Sequence, residues 1–460
     1  MKIRSCFGSS FFVIGVYELQ KLSMKEMLSV GFMVFSIFFG AGNLIFPPLL
    51  AQNAGTNYPM AVVGFLTTGI GLPLLGLIAI VKVSGKYTEL VDKRVHPWFR
   101  IITFGLLYLA IGPLFAVPRT GAVSFEIGIR PFLPVDFMAE GQYVYTAIFF
   151  ILTYFFAANP SRLVDTVGKV LSPVLLLFLC VLFARTFYGP IGEILPPVDQ
   201  YIDAPFASGF TDGYLTMDLL AALAVGGLAI SAVKAKGVTE QKAIYRTCIK
   251  ACLVAIVLMG AVYTALAYLG ATCPSVLGYS ANGGIILSSA TYVFFGDAGK
   301  LVLAFIIGFA CLTTSIGVSA AFASYYQYVS DGRLGYKKLL LGATLFSYWA
   351  ANMGLTELIR ISVPFLVALY PIFIVLVILS LCDDVFQGSS LVYRLSIGMT
   401  LPFSIMDGLQ AAELPLPGVH DFLMTYLPLY SVNLGWLLPA LAGAIVGMLW
   451  NKMHKGHQPA

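Results

Sequence analysis

The chain has 460 residues, of which 59% are hydrophobic and only 11% charged, against about 25% charged in an ordinary soluble protein, and its mean hydropathy is +0.88. Such a chain cannot clothe a water-facing surface, so a water-soluble enzyme is excluded, and the abundance of apolar residues excludes disorder. The net charge of +5 is spread over many short stretches and is no nucleic-acid signature.

About 20 residues cross a bilayer as a helix, and apolar runs between polar punctuation predict twelve spans. They cover roughly 27–51, 59–82, 99–129, 141–158, 164–188, 214–233, 249–270, 299–328, 338–351, 357–381, 392–410 and 429–450. Ahead of them, residues 1–23 carry Lys2, Arg4 and a short apolar run, Phe11–Val16, without a small-residue cleavage site. We read 1–23 as an N-terminal extension and Met24 as the functional start. No soluble domain follows the last span, only a short polar tail, 453–460, expected to be cytoplasmic.

Orientation follows the basic residues, which favour the cytoplasmic side. With the N-terminus inside, the inner segments hold Lys82, Lys86, Lys93, Arg94 and Arg100; Arg162 and Lys169; Lys234, Lys236, Lys242, Arg246 and Lys250. They continue with Arg333, Lys337 and Lys338, then Arg394, then Lys452 and Lys455, and with the N-terminal tail make 22 of 27. Both termini are therefore expected in the cytoplasm. The longest outer loop, 189–213, has acidic residues and no Lys or Arg.

Two spans are interrupted by small residues. The first reads Phe38-Phe39-Gly40-Ala41-Gly42-Asn43, with Pro47-Pro48 a turn later. A tight helix crossing fits this composition, and so does an unwound helix; Asn43 and the two prolines favour the break. Unwinding would expose N–H groups suited to a carboxylate and carbonyls suited to a cation. The sixth span contains Gly226-Gly227 after Ala224-Val225, a second weak point that helix packing alone would explain and that its position strengthens as a break. It stands five spans after the first, so equivalent helices cross in opposite directions, the mark of an inverted-repeat transporter. The eighth span holds Thr313-Thr314-Ser315, which could ligate a hard cation such as Na⁺ or simply bond the carbonyls one turn back.

Charges inside spans are functional candidates. Arg119 and Glu126 lie seven apart and share a face of the third span, Asp218 sits near the start of the sixth, and Arg360 near the outer end of the tenth. Each is a gating charge or a structural ion pair. Pro113, Pro118, Pro364 and Pro371 are expected to kink their spans. Seven scattered cysteines and four histidines in polar stretches give no disulfide framework and no metal, haem or cluster cofactor.

Several of these segments resemble one family. Phe38–Pro48 (FFGAGNLIFPP), Ile111–Ser124 (IGPLFAVPRTGAVS), Gly213–Asp218 (GYLTMD) and Ala310–Ile316 (ACLTTSI) are similar to motifs of the bacterial branched-chain amino acid symporters of the BrnQ type, in the same order and over nearly the whole chain after residue 23. The resemblance implies import of leucine, isoleucine and valine coupled to Na⁺ or another monovalent cation. It also implies a LeuT-type all-α fold in a single transmembrane domain, 24–452. Two inverted five-helix repeats would cover about 27–188 and 214–381, with extra helices at 392–410 and 429–450. In that fold the substrate carboxylate meets backbone N–H groups, here of Ala41 and Gly42. The ammonium meets carbonyls around Phe38 and Ala224–Val225. A Na⁺ site joins carbonyls of Ser36 and Phe39 to the hydroxyls of Thr313 and Thr314. Asn43 matches a side chain of a second cation site, but Ala222 stands where that site's hydroxyl partner belongs, which makes a second Na⁺ doubtful.

The function expected is thus secondary active import of branched-chain amino acids across a bacterial inner membrane. The partners are an amino-acid substrate and membrane lipid, with no nucleic acid and no obligate protein partner. Proton-coupled or passive transport of another small apolar amino acid is the alternative. A membrane enzyme would need paired carboxylates or clustered histidines, and the adjacent pair Asp383-Asp384 has no histidine beside it in sequence. No nucleotide-binding GxxxxGK[ST] run supports primary pumping.

Overall fold

A computed structural model describes residues 23–83, 87–158, 163–227, 230, 233–234, 237–414, 416 and 418–455. The N-terminal extension therefore lies outside the described residues except for Ser23, whose hydroxyl accepts the Glu26 N–H and caps the first helix. Every regular element among the described residues is helical.

Helices lie on all twelve expected segments. The first span is two helices, α1 (Met24–Phe38) and α2 (Ala41–Ala54). The second is α3 (Tyr58–Leu66) and α4 (Leu72–Lys82), joined by a wider turn at Thr67–Gly71. A helix along the inner connection, α5 (Tyr87–Arg94), precedes the third span. That span consists of α6 (Pro97–Leu109), a π-turn with non-helical Gly112, and α7 (Ala116–Gly128). Pro113 sits in this kink, which accounts for the span's unusual length. Next come α8 (Met138–Ala157) and α9 (Leu163–Tyr188). The expected loop 189–213 ends in a helix of its own, α10 (Pro205–Asp212), and the sixth segment follows as a 3₁₀ turn Gly213–Thr216 and α11 (Asp218–Val225). The rest are α12 (Gln241–Ala271), α13 (Gly283–Val329), α14 (Tyr336–Ala351), α15 (Leu355–Leu381), α16 (Ser390–Ala411), α17 (Val419–Tyr426) and α18 (Leu437–Lys455).

Among the described residues, five continuous helical stretches are each long and apolar enough to cross a membrane by themselves: Ala41–Lys82, Pro97–Phe132, Gln241–Leu277, Gly283–Val329 and Leu355–Leu381. Two of them turn corners at glycines in the left-handed region. Gly55 (φ +48) ends α2 with the Leu195 carbonyl oxygen only 2.2 Å from where a Cβ would stand, so no other residue fits without displacing backbone. Gly296 (φ +62) divides α13 into a short arm and the long arm that carries Thr313–Ser315. The long arm therefore fits the expected eighth span. The last span starts later than expected, at Leu437, because Gly418–Val432 forms α17 and a turn of its own. Pro364 and Pro371 lie within continuous α15, and Pro118 in the first turn of α7, where a proline is tolerated.

Packing puts α2, α7, α12 and the long arm of α13 at the centre: α7 and α2 both pack on α13, and α12 packs on both α1 and α2. α10 crosses α3 at Gly64 and Gly209, each backbone within 2.1 Å of where the other glycine's Cβ would be. The outermost pairs, α15–α16 and α16–α18, stack to one side. Apolar residues face outward in stripes. On α8, Val144, Ile148, Ile151 and Phe155 are all more than half exposed at helical spacing, an apolar face of the kind that a membrane protein turns outward.

Candidate functional site

The first span breaks where its sequence predicts. Phe39 is extended (φ −76, ψ 96), Gly40 is extended (φ −120, ψ −167), and α2 begins at Ala41. Gly40 has no side chain to cap the new helix, so the first-turn N–H groups of α2 present a positive helix end at this point. Asn43 does part of that work from inside: its Oδ1 accepts the Gly40 N–H at 3.0 Å. Pro47 and Pro48 do not interrupt α2. Lacking N–H groups, they leave the carbonyls of Asn43 and Leu44 without their usual helical donors.

The sixth span breaks too, but not at Gly226–Gly227. Gly226 is helical (φ −58, ψ −23), and its N–H bonds the Ala222 carbonyl at 2.8 Å. The interruption is at Met217, in the left-handed conformation (φ +61), between the 3₁₀ turn and α11. The two glycines close the other end of α11. A Cβ on Gly226 would stand 2.9 Å from Ile80 and Leu77 side chains, so its small size serves the crossing with α4. The Ala224 carbonyl accepts the Tyr108 hydroxyl at 3.2 Å instead of standing free. Ala224, Val225, Gly226 and Gly227 therefore lie at the far end of α11, about 10 Å along the helix from Asp218 at 1.5 Å per residue, and not at a break.

The two restarted helices, α2 and α11, meet at their N-terminal ends. Asn43 Nδ2 donates to Asp218 Oδ2 at 2.7 Å, the Tyr263 hydroxyl of α12 donates to the same oxygen at 3.1 Å, and Asn43 Nδ2 also donates to that hydroxyl. Asn43 and Asp218 are 1% and 2% exposed. The Leu219 N–H, in the first turn of α11, donates to Tyr370 of α15. Thr216 accepts the Asp218 N–H; this Thr-x-Asp pair ahead of an apolar run is the capping signal that would have located the break. Tyr263 and Tyr370 lie in plain apolar runs and carry no such signal.

Arg119, fully buried on α7, reaches the same place. Its Nη1 donates to the Leu215 carbonyl at 2.5 Å and its Nη2 to the Ser362 hydroxyl at 3.4 Å. The guanidinium lies over the Phe46 ring, 5.0 Å from its centroid. It also faces the first turn of α2: a Cβ on Gly42 would be 3.3 Å from Nη1. Phe46 and Leu215 help line a partly open cavity of about 290 Å³, together with Asn53 and with Asp199, Gln200, Tyr201 and Asp212 of the acidic segment 189–213.

On the opposite side of the break stands Thr314. A Cβ on Gly40 would be 3.4 Å from Thr314 Cγ2 and 3.7 Å from its Oγ1. Thr313 and Thr314 both donate to the Ala310 carbonyl, at 2.9 and 3.0 Å, so their hydroxyls have acceptor lone pairs left for another partner. Phe38 and Phe39 are buried beside them. Ser36 belongs to α1, and its side chain lies outside the described ones.

The remaining expected charges have other partners. Glu126 pairs with Arg130, one turn on, and accepts from Asn282; sharing a helix face with Arg119 did not bring the two together. Arg360 is exposed and lies 3.7 Å from Glu357, so it is neither buried nor at the break. Asp383 and Asp384 are ion-pair partners of Arg94 and Lys82, tying the 383–388 turn to α5 and the end of α4.

Comparison with known proteins decides what this arrangement belongs to. The family described as "Branched-chain amino acid transport protein" matches residues 23–454. The chain is 42% identical over 430 residues to the branched-chain amino acid permease BrnQ of Bacillus subtilis (94% of this chain, 98% of that one). The chain belongs to the branched-chain amino acid transport protein family. It is 43% identical to the permease BraB of the same organism (93% and 95% covered). To the transport system 2 carrier protein of Pseudomonas aeruginosa it is 40% identical (93% and 96%). It is a membrane transporter and not an enzyme. Among solved structures it resembles Mhp1, a nucleobase-cation-symport-1 family transporter, in a closed conformation with bromovinylhydantoin bound (TM-score 0.61, 11% identity, 93% of each chain). It also resembles a Na⁺-coupled sialic acid symporter (TM-score 0.55, 15% identity, 93% and 89%). At these identities the likeness concerns the fold, and the LeuT-type fold implied by the sequence motifs is the one present.

Proposed function

We propose that the chain imports leucine, isoleucine and valine across a bacterial inner membrane, coupled to Na⁺ entry by alternating access. The relatives named as branched-chain amino acid permeases support the substrate class. The observation that supports a cation is the position of Thr314 against the extended Phe39–Gly40 break. Na⁺ would take carbonyls of Ser36 and Phe39 on one side and the hydroxyls of Thr313 and Thr314 on the other. The substrate would lie against Phe38, Gly40, Ala41, Gly42 and Asn43, its carboxylate at the uncapped start of α2. The N-terminus and C-terminus are both cytoplasmic in this reading.

The energetics suffice. One Na⁺ entering down 100 mV releases about 2.3 kcal/mol, and a tenfold Na⁺ gradient adds about 1.4 kcal/mol. Together they sustain several-hundred-fold accumulation. Selectivity for branched side chains over alanine follows from apolar fit. Leucine carries three more carbons, worth about 2.4 kcal/mol at roughly 0.8 kcal/mol per buried CH₂, or around fiftyfold. The test is uptake of labelled leucine into proteoliposomes with an imposed Na⁺ gradient, a proton gradient, or neither. Accumulation driven by Na⁺ alone is expected; accumulation driven only by protons, or mere equilibration, would refute the coupling.

A further inference from the structure

Two opposite charges are buried at the centre of this molecule without pairing. Arg119 and Asp218 are each 2% exposed, yet among the described residues no ion pair within 4.0 Å involves either of them. Asp218 has neutral donors, Asn43 and Tyr263. Arg119 has neutral acceptors, the Leu215 carbonyl and the Ser362 hydroxyl, and its Nε has no partner. An isolated buried ion is costly, and direct pairing would be the ordinary remedy.

The surroundings of Arg119 raise that cost. Its guanidinium faces the first turn of α2 beside Gly42, and that turn has no side-chain cap from Gly40. Two positive features, a cation and a helix N-terminus, thus point at the same space. An anion between them relieves both. The fork of the guanidinium matches a carboxylate. Asp218 lies three residues beyond Leu215, whose carbonyl Arg119 holds, on the far side of the left-handed Met217. The cation and the carboxylate thus both lie at the junction of α2, α7 and α11, and what balances both at once is a neutral molecule with its own separated charges.

We propose that Arg119 and Asp218 read the two ends of an α-amino acid: Arg119, with the first turn of α2, takes the carboxylate, and Asp218 takes the ammonium. This rests on the reading of the chain as an amino-acid transporter and assigns that site's polar specificity. Gly42 then has a definite role: lacking a side chain, it lets the first turn of α2 approach the guanidinium closely enough for both to reach one carboxylate, where even a Cβ would stand 3.3 Å from Nη1. Asn43 and Tyr263 hold Asp218 in place, and the apolar side chain of the substrate is left for the surrounding Phe and Leu residues.

The test measures binding to the purified full chain in nanodiscs, with Na⁺ saturating. The probes are leucine, 3-methylbutylamine (leucine without its carboxylate) and 4-methylpentanoate (leucine without its ammonium). For the wild type, the amine and the acid should each bind about 30-fold or more weakly than leucine, the range for removing one partner of a buried charge pair. Arg119→Gln should lose about 30-fold or more for leucine and the acid but stay within about threefold for the amine. Asp218→Asn should show the mirror pattern, losing leucine and the amine while the acid is unchanged. Arg119→Lys, which keeps the charge without the fork, should recover part of the leucine affinity. Amine or acid binding to wild type as tightly as leucine overturns the proposal even if a variant fails to fold. So does equal loss of all three ligands in variants with wild-type melting curves, or an Asp218→Asn variant that binds leucine and the amine like wild type at saturating Na⁺ and loses affinity only when the series is repeated at low Na⁺, which would make Asp218 a cation ligand. Wild-type protein that binds leucine, isoleucine and valine not at all would instead overturn the substrate reading and this assignment with it.

Discussion

Replacing Thr314 by valine separates the two roles open to its hydroxyl. Valine keeps the shape, so the Cγ2 contact facing Gly40 at 3.4 Å survives. What disappears is one oxygen and its hydrogen bond to the Ala310 carbonyl. That carbonyl still accepts the Thr313 hydroxyl at 2.9 Å, so nothing buried is left unpaired and folding should be little affected. If Na⁺ uses the Thr314 oxygen, the variant loses an interaction with a charge, worth about 1.5–3 kcal/mol, or about 12- to 140-fold in the Na⁺ concentration that half-saturates uptake. The assay is initial leucine uptake into proteoliposomes over a Na⁺ series, with reconstituted protein quantified and its melting curve recorded. Maximal uptake should return at high Na⁺, and Thr314→Ser should lie close to wild type. An unchanged Na⁺ dependence in Thr314→Val would show that the hydroxyl only satisfies its own helix and that the cation is held elsewhere.

Four further outcomes are expected. Gly42→Leu should abolish leucine binding and lower the melting temperature, because its Cβ alone would stand 3.3 Å from Arg119 Nη1 and from the Phe46 ring; leucine binding that survives would count against the carboxylate site. Gly55→Ala should lower thermal stability markedly, since the left-handed backbone alone costs roughly 1–2 kcal/mol and its Cβ would overlap the Leu195 carbonyl; an unchanged melting temperature would count against the turn described. Cys382 is exposed at the end of α15, and a membrane-impermeant thiol reagent should reach it only from the cytoplasmic side; labelling from outside in intact cells would invert the topology. A chain starting at Met24 should transport leucine, with stability reduced by about 1 kcal/mol for the lost Ser23 cap; a folded but inactive protein would give residues 1–23 a function.

How much of this was legible in the sequence depended on the kind of signal. Helix positions followed from apolar runs, since bilayer thickness sets their length. The first break was legible because Gly40, Gly42 and Asn43 are residue types that a lipid-facing helix avoids. The sixth-span break was misplaced by nine residues or more because glycine draws the eye. The left-handed residue is Met217, a type that seldom adopts that conformation, held there by tertiary packing. Gly226 looked like a hinge and is a packing contact with Leu77 and Ile80. For the charges, seven-residue spacing put Arg119 and Glu126 on one face, but partners are chosen across helices. Asn282, Leu215 and Ser362 come from other segments and no local pattern announces them. Arg360, near a predicted span end, is simply exposed.

The amide of Asn43 has a mechanical consequence. One oxygen and one nitrogen of a single side chain fasten the start of α2 to the start of α11, through Gly40 on one side and Asp218 on the other. From that junction α2 runs toward the acidic loop and α11 runs toward the basic end of the bundle. The two half-helices are therefore levers on a common fulcrum at mid-depth. In the alternating access proposed above, a tilt about this junction would move both half-helices together, coupling exposure to one face of the membrane to closure toward the other. A substrate whose two charges lie beside the fulcrum touches both levers where a small displacement swings their far ends furthest.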